Sequence, residues 1–160
     1  MMLCLPTAAS MILAFYGDKE PPRKLKVLSR HKKYTSDDDF LYDFTVTDYR
    51  DIIDAVGSLG YAWRIMTFQN RPAGLKAGIQ LIESELRRGH PMIVSVSRTD
   101  IEHALVVTGF DSTQRLVFVS DPNVDGDGVH PESYDDFGRT WNDRSTGSDI
   151  RSLIVTSPKQ

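Results

Sequence analysis

The sequence predicts an α+β fold in which helices dominate the first half of the chain and an antiparallel sheet dominates the second. Apolar residues recur mostly at helical spacing before residue 60, whereas short apolar or alternating runs typical of strands follow residue 90. Two of these runs are joined by a short turn at residues 111–114, which is typical of an antiparallel hairpin. Elements segregated in this way favour layered α+β packing over alternating βαβ units.

Length and composition are those of an ordinary globular protein. The 160 residues are 40% hydrophobic and 26% charged, which excludes collagen-like, low-complexity and wholly disordered chains and predicts a single domain over residues 1–160. Nineteen lysines and arginines against 22 aspartates and glutamates give a formal charge of −3, so we expect neither a nucleic-acid nor a membrane partner. The sequence leaves the oligomeric state open.

The beginning of the sequence carries no recognisable targeting segment. Met1 leads almost at once to Cys4 without a basic region before an apolar stretch, and no apolar run is long enough to cross a bilayer. We therefore expect neither a signal peptide nor a transmembrane segment in this sequence. A natural chain that starts further upstream stays an alternative, so the cellular compartment is left open.

The first half of the chain carries two predicted amphipathic helices. Residues 5–16 have apolar side chains at helical spacing, which predicts a buried helix beginning right after Cys4. Residues 18–36 are cationic and interrupted by prolines, which predicts an exposed excursion with at most a short helix. A second helix is predicted over residues 48–58, with Thr47 as its N-cap.

The rest of the chain is predicted to be mostly strands around one further helix. Glycine and proline residues mark the ends of these elements. In chain order they are a strand at 61–68, a helix at 74–88, strands at 92–97, 103–110 and 116–120, a Gly/Asp/Pro loop at 121–132, and a strand at 150–156.

Cys4 is the only cysteine in the chain, which excludes internal disulfides and zinc sites with several cysteines. A cysteine is a nucleophile as its thiolate, and a helix N-terminus lowers the pKa of a thiol. The position of Cys4 just before a predicted helix therefore suits a reactive thiol. The alternative is a small buried hydrophobic residue, which is the usual role of a free cysteine.

His103 and Asp121 stand at the open ends of two neighbouring strands of the predicted hairpin. Counted outward from the turn at 111–114, the two residues are roughly level. An aspartate beside a histidine can fix its tautomer and stabilise the imidazolium. A histidine with a purely structural role at a strand edge is the alternative. The other histidines lie in polar or glycine-rich contexts: His31, His90 and His130.

Four segments resemble, in order, the blocks of the papain-like cysteine peptidases related to bacteriocin-leader (double-glycine) processing. Residues 4–17 (CLPTAASMILAFYG) are similar to the nucleophile helix of that family. Residues 102–111 (EHALVVTGFD) resemble its histidine strand, and residues 119–122 (VSDP) resemble its third catalytic block. The sequence YDDF at 134–137, followed by Trp141, is similar to the segment that closes these domains.

The resemblance implies a papain-like fold, with an N-terminal nucleophile helix packed on an antiparallel β-sheet. It also implies a hydrolase that cleaves a peptide or amide bond without a cofactor. In this family's mechanism Cys4 would be the nucleophile, His103 the general base and acid, and Asp121 the carboxylate that orients the imidazole. The partner expected from the resemblance is a peptide or amide substrate.

The sequence departs from the family pattern at two places near the cysteine. The family carries a glutamine several residues before the cysteine as an oxyanion-hole donor, and that position would precede Met1. Leu5 stands where family members usually have glycine. Three glutamines within the chain are not placed by spacing to replace that donor, namely Gln69, Gln80 and Gln114. Two alternatives are therefore a binding or regulatory module without turnover, and an acyltransferase that uses the same residues.

Residues 121–132 also match the calcium-loop pattern D-x-[DN]-x-[DN]-G-x5-E. Oxygen ligands at alternate positions and a glycine at the sharp turn suit a calcium ion. The strand before this segment and Pro131 within it argue against an EF-hand, so we expect an acidic surface loop. In the calcium alternative the ligands would be Asp121, Asn123, Asp125, Asp127 and Glu132.

Overall fold

The computed structural model describes residues 3–29, 48–98, 101–122, 128–141 and 150–160. These residues form a six-stranded sheet with helices on both faces. The helices are α1 (Cys4–Phe15), α2 (Pro22–Ser29), α3 (Tyr49–Ser58), α4 (Pro72–Arg87) and α5 (Tyr134–Thr140). The strands are β1 (Arg64–Gln69), β2 (Met92–Arg98), β3 (Ile101–Asp111), β4 (Leu116–Ser120), β5 (Val129–Ser133) and β6 (Ile150–Val155).

All strand pairs are antiparallel, in the order β1-β6-β2-β3-β4-β5. The hairpin of β3 and β4 has the turn that the sequence predicts, since Asp111 pairs with Leu116. The Asp111 carboxylate accepts hydrogen bonds from the backbone N–H groups of Thr113 and Gln114 and so stabilises the turn. The predicted α+β class is confirmed. Within the described residues, no helix combines the length and apolarity needed to cross a bilayer.

Side chains that alternate along the strands pack into two cores, one on each face of the sheet. In β3, Ala104 and Val106 belong to the core beneath α1, α2 and α3. Leu105 and Val107 belong instead to the core beneath α4 and α5. Because both faces are covered, most of β2 and the middle of β3 consist of buried apolar residues. This packing gives β3, and with it His103, a rigid position.

Two sequence expectations need correction, and one helix was not predicted. The N-cap of α3 is Asp48 rather than Thr47, since Asp48 and Asp51 exchange side-chain to backbone hydrogen bonds of 2.9 and 3.1 Å in a capping box. The predicted loop at 121–132 is wrong at its end, where polar residues form the edge strand β5 against β4. Helix α5, which follows it, was not predicted and begins at the N-cap Ser133, whose hydroxyl accepts from the Asp136 N–H.

Helix α4 and strand β1 approach each other so closely at Gly74 that only glycine fits. A Cβ atom at this position would lie 1.9 Å from the backbone oxygen of Gln69. We expect Gly74→Ala to lower the free energy of unfolding by about 2–3 kcal/mol, because the backbone must shift to relieve the clash.

Gly57 in α3 is the matched control, since a Cβ atom there meets nothing within 4 Å. Gly57→Ala should raise the stability by up to about 1 kcal/mol, because alanine favours the helix. Urea denaturation of both variants measures the difference. Equal effects of the two substitutions would contradict the close approach of α4 to β1.

Candidate active site

Cys4 is the first residue of α1, and its side chain is partly exposed. No side chain caps the start of this helix, so first-turn N–H groups are available to other acceptors. The backbone N–H groups of Leu5 and Ala104 lie near the Cys4 sulfur and help to lower the pKa of the thiol. Ala104 lies in β3, two residues before Val106, which forms the last pair with β4. The sulfur therefore lies beside β3 where the β4 ladder has ended.

His103 lies near the start of β3, and Asp121 follows directly after β4. His103 Nε2 lies 2.6 Å from Asp121 Oδ1. The two side chains are only 12% and 13% exposed, so water competes little for this contact. The structure thus places the imidazole and the carboxylate in direct hydrogen-bonding contact.

A β-bulge puts the two side chains on the same face of the hairpin. The register of β3 and β4 shifts by one residue near Gly109. Continued past the last pair, the shifted register brings Asp121 level with Leu105, which shares its strand face with His103. If the hairpin had the same turn but no bulge, Asp121 would be level with Val106. The side chain of Val106 points to the opposite face of the hairpin.

The thiol of Cys4 is the second neighbour of the His103 imidazole. The two side chains lie close enough to shift each other's pKa. Because Nε2 contacts Asp121, Nδ1 is the nitrogen left to share a proton with the sulfur. The three side chains therefore form one cluster, in which the imidazole lies between the thiol and the carboxylate.

The surroundings of Cys4 lower the pKa of its thiol. Burial is the largest single influence and on its own would raise this pKa, because it penalises the thiolate. The His103 hydrogen bond, the Ala104 N–H, the charge of His103 and the Leu5 N–H outweigh burial together. The net result favours the thiolate, which is the nucleophilic form.

The pKa of His103 is raised in turn. The hydrogen bond with Cys4 is the largest cause, and burial opposes it. The hydrogen bond with Asp121 and the negative charges of Asp121 and Cys4 raise the pKa further. The two opposite shifts favour a thiolate–imidazolium pair, which can attack a carbonyl and deliver a proton to a leaving group.

Alkylation of Cys4 by iodoacetamide should therefore titrate at lower pH than that of a free thiol. His103→Ala should move the midpoint upward, since burial persists while the hydrogen bond and charge of the imidazole are lost. The measurement is the alkylation rate against pH, with N-acetylcysteine as reference. His90→Ala is the control, because His90 contacts Glu85 at 2.8 Å instead. A midpoint unmoved by His103→Ala would contradict the coupling.

The other candidate residues lie outside this cluster. His90 is paired with Glu85 at the end of α4, and His130 is exposed on β5. His31 lies outside the described residues. Gln80 is exposed on α4, and Gln114 lies in the turn at the far end of the hairpin.

Gln69 and Leu5 also have roles other than lining the thiol. Gln69 ends β1, which β6 and β2 separate from β3. The side chain of Leu5 is only 6% exposed and belongs to the hydrophobic core. Its burial explains how a leucine is accommodated where the family pattern has glycine.

The first and last residues of the calcium-loop pattern do not lie together as ligands of one ion would. Asp121 contacts His103, and Glu132 lies in β5 level with Val117, about three residue pairs or 10 Å along the sheet from Ser120. Asn123, Asp125 and Asp127 lie outside the described residues. Among the residues that the structure describes, no group of three His, Cys, Asp or Glu side chains is arranged to hold a metal ion.

A solved peptidase domain has a similar fold. The peptidase domain of Streptococcus ComA, described as a bi-functional ABC transporter involved in a quorum sensing pathway, matches 98% of this chain and 92% of its own. That match has a TM-score of 0.67 and 19% sequence identity. The Pseudomonas avirulence protein AvrPphB matches 96% of this chain and 89% of its own, with a TM-score of 0.47 and 10% identity. No curated protein sequence matches the chain significantly.

A sequence profile for the family described as "Peptidase_C39 like family" matches residues 2–148. This match covers most of the chain and confirms the resemblance drawn from the sequence. The helix that begins at Cys4 packs on the antiparallel sheet as in the papain-like peptidase fold. The chain therefore belongs to the Peptidase_C39-like family, and its function is peptidase-like.

Proposed function

We propose that this protein is a cysteine peptidase that cleaves a peptide or related amide bond. In this proposal Cys4 is the nucleophile, His103 is the general base and then the general acid, and Asp121 orients the imidazole. The observation that carries it is the position of the His103 imidazole, which contacts Asp121 and shifts the pKa of the Cys4 thiol, in a member of a peptidase family.

The reaction would proceed in two steps. His103 Nδ1 takes the thiol proton, and the Cys4 sulfur forms a bond to the carbonyl carbon of the substrate. The protonated imidazole then donates that proton to the amine nitrogen as the carbon–nitrogen bond breaks, which leaves a thioester on Cys4. Water, deprotonated by His103, attacks the thioester, and the carboxylic acid and the free thiol are released.

Asp121 would support both steps without contacting the substrate. Its carboxylate accepts the Nε2 hydrogen bond, which leaves Nδ1 directed to the sulfur and stabilises the imidazolium while it exists. The backbone N–H of Cys4, at the uncapped start of α1, is a candidate donor to the oxyanion.

The test is cleavage of a diverse peptide library derived from a proteome digest, with new N-termini identified by mass spectrometry. The wild-type chain should generate a reproducible set of cleavages that Cys4→Ala does not. Cys4→Ala is a suitable control because the side chain removed is small and partly exposed.

Two other results would indicate a different function for the chain. Products joined to an added primary amine instead of water would assign the chain to acyl transfer. Normal folding with no turnover, and with no thioester formed on Cys4, would assign it to a binding or regulatory role. Both results contradict hydrolysis as the main activity.

A further inference from the structure

A second concave surface lies beside α1, and we call it the α1 groove. It has a volume of about 320 Å³ and lies between α1 and strands β3, β4 and β5. Among the described residues, three large hydrophobic side chains are exposed, namely Met11 at 36%, Phe15 at 65% and Val129 at 50%. All three line this groove. Exposed apolar side chains gathered in one concavity are typical of a binding site.

The wall of the groove that α1 forms lies away from the thiol site. Met11 and Phe15 follow Cys4 by seven and eleven residues on the same helix, which places them roughly 10 and 16 Å further along its axis. Ala8 lies between them and Cys4 on that helix face and is fully buried. The packing over Ala8 therefore interrupts any path along α1 from the thiol to the groove.

The walls of the groove suit a hydrocarbon chain. Thr108 and Ser120 supply the hydroxyl groups of the lining, and the Thr108 hydroxyl donates to the backbone oxygen of Phe118. A peptide bound there would bury one backbone N–H and one C=O group for each of its residues. The groove offers these groups few hydrogen-bond partners, so their burial would cost binding free energy. An aliphatic chain carries no such groups. The chemistry of the lining therefore favours an aliphatic ligand.

The groove crosses the sheet rather than following one strand. Its lining includes Val129 of β5, Ser120 of β4, Val106 of β3 and Pro91 just before β2. Three spacings between neighbouring strands amount to about 14 Å. At roughly 1.3 Å of length for each carbon–carbon bond, an extended chain of about ten to twelve carbons reaches about 12–14 Å.

A cationic side chain lies beside the groove. Arg87 follows the lining residue Leu86, and its guanidinium lies 5.0 Å from the ring centre of Phe110. Phe110 is two residues beyond Thr108 on β3, which is about 7 Å along the strand. The Arg87 side chain is 61% exposed, and its contact with Glu83 is long, at 3.9 Å. This guanidinium does not line the groove itself, and it is complementary to a carboxylate that extends beyond the groove.

We propose that the α1 groove binds an aliphatic carboxylate of medium chain length. Its hydrocarbon lies across β3, β4 and β5 against Met11 and Phe15, and its carboxylate lies at Arg87. This binding does not require the reaction proposed for Cys4, so the two proposals can fail independently.

The test is isothermal titration of the full chain with sodium decanoate below its micellar concentration, repeated on Cys4→Ala. We expect saturable binding of one decanoate by both proteins. Affinity should rise about threefold to fourfold for each methylene group added between hexanoate and decanoate. Decyltrimethylammonium, which has the same tail and the opposite charge, should bind more weakly.

Variants locate the site. Phe15→Glu should weaken decanoate binding at least about tenfold, because it places a charge against the hydrocarbon. Arg87→Gln should weaken it about threefold to fivefold, as expected for an exposed ion pair. Arg139→Gln is the control, since Arg139 is 72% exposed and pairs with Asp136 on α5. Circular dichroism verifies that each variant is folded.

Four results would overturn the proposal. One is the absence of saturable binding, and another is binding that Phe15→Glu leaves unchanged. The third is tighter binding of a blocked apolar tripeptide than of decanoate, which would assign the groove to peptides. Sedimentation is measured alongside, and a dimer that Phe15→Glu dissociates would assign the groove to contact between copies and contradict the ligand.

Discussion

Replacing Cys4, His103 or Asp121 will lower peptide turnover by unequal factors. Cys4→Ala and His103→Ala should each reduce kcat by roughly 10⁵–10⁶-fold, because either change removes the nucleophile or the group that activates it. Asp121→Ala should cost less, about 10³–10⁴-fold, since the imidazole remains and loses only its orientation and charge support. The measurement is kcat and KM on a fluorogenic peptide built from a sequence cleaved in the library experiment.

The double variant and a matched control make this prediction specific. Residues that act as one unit are not additive, so Cys4→Ala combined with His103→Ala should be no slower than either change alone. His90 also contacts a carboxylate, that of Glu85 at 2.8 Å, and His90→Ala should leave kcat unchanged. Additive losses, or a loss with His90→Ala equal to that of His103→Ala, would contradict the assignment.

The largest effect on stability is expected at Trp141. This side chain is fully buried, stacks on Phe137 with ring centres 5.2 Å apart, and donates through Nε1 to the Ser152 backbone oxygen at 2.8 Å. Trp141→Ala should lower the free energy of unfolding by about 3–5 kcal/mol, because it leaves a cavity and an unpaired carbonyl. Urea denaturation measures this loss.

Two further substitutions separate the causes. Trp141→Phe keeps most of the packing and removes the hydrogen bond, so its cost should be about 1–3 kcal/mol. Phe15→Ala removes an aromatic ring that is 65% exposed and should change stability by no more than about 0.5 kcal/mol. A cost for Phe15→Ala similar to that of Trp141→Ala would contradict the distribution of the core.

The elements that could be predicted from the sequence are those with a strong apolar period. Helix α1 and strands β2, β3 and β4 are buried on one or both faces, so their residues repeat at the spacing of the structure. Strand β5 could not be recognised, because it is an exposed edge strand whose residues, VHPES, are mostly polar. Helix α5 is only seven residues long and has too few turns to display a period.

For the candidate site, the sequence indicated the residues but not their arrangement. Cys4, His103 and Asp121 could be singled out from their positions at the ends of predicted elements. Simple counting from the hairpin turn could not reveal the bulge near Gly109, which changes the register by one residue and brings Asp121 to the face of His103. The Ala104 N–H could not be foreseen as a partner of the sulfur, because this contact depends on how α1 meets the sheet.

The cap of α3 illustrates a local signal that was present but assigned one residue too early. Thr47 and Asp48 are both good N-cap types. Asp51, three residues after Asp48, returns a hydrogen bond to the backbone N–H of Asp48 and distinguishes the two. The α1 groove, by contrast, has no local sequence signal, because its walls come from residues far apart in the chain.

The most direct test of the central claim is to look for the covalent intermediate on Cys4. The wild-type chain is mixed with a cleaved peptide and quenched in acid during turnover, and the tryptic peptide at 1–19, which contains Cys4, is analysed by mass spectrometry. We expect this peptide to gain the mass of the acyl half of the substrate, in an adduct that hydroxylamine removes and that His103→Ala does not form. Product formation without this adduct, or cleavage that persists in Cys4→Ala, would contradict Cys4 as the nucleophile.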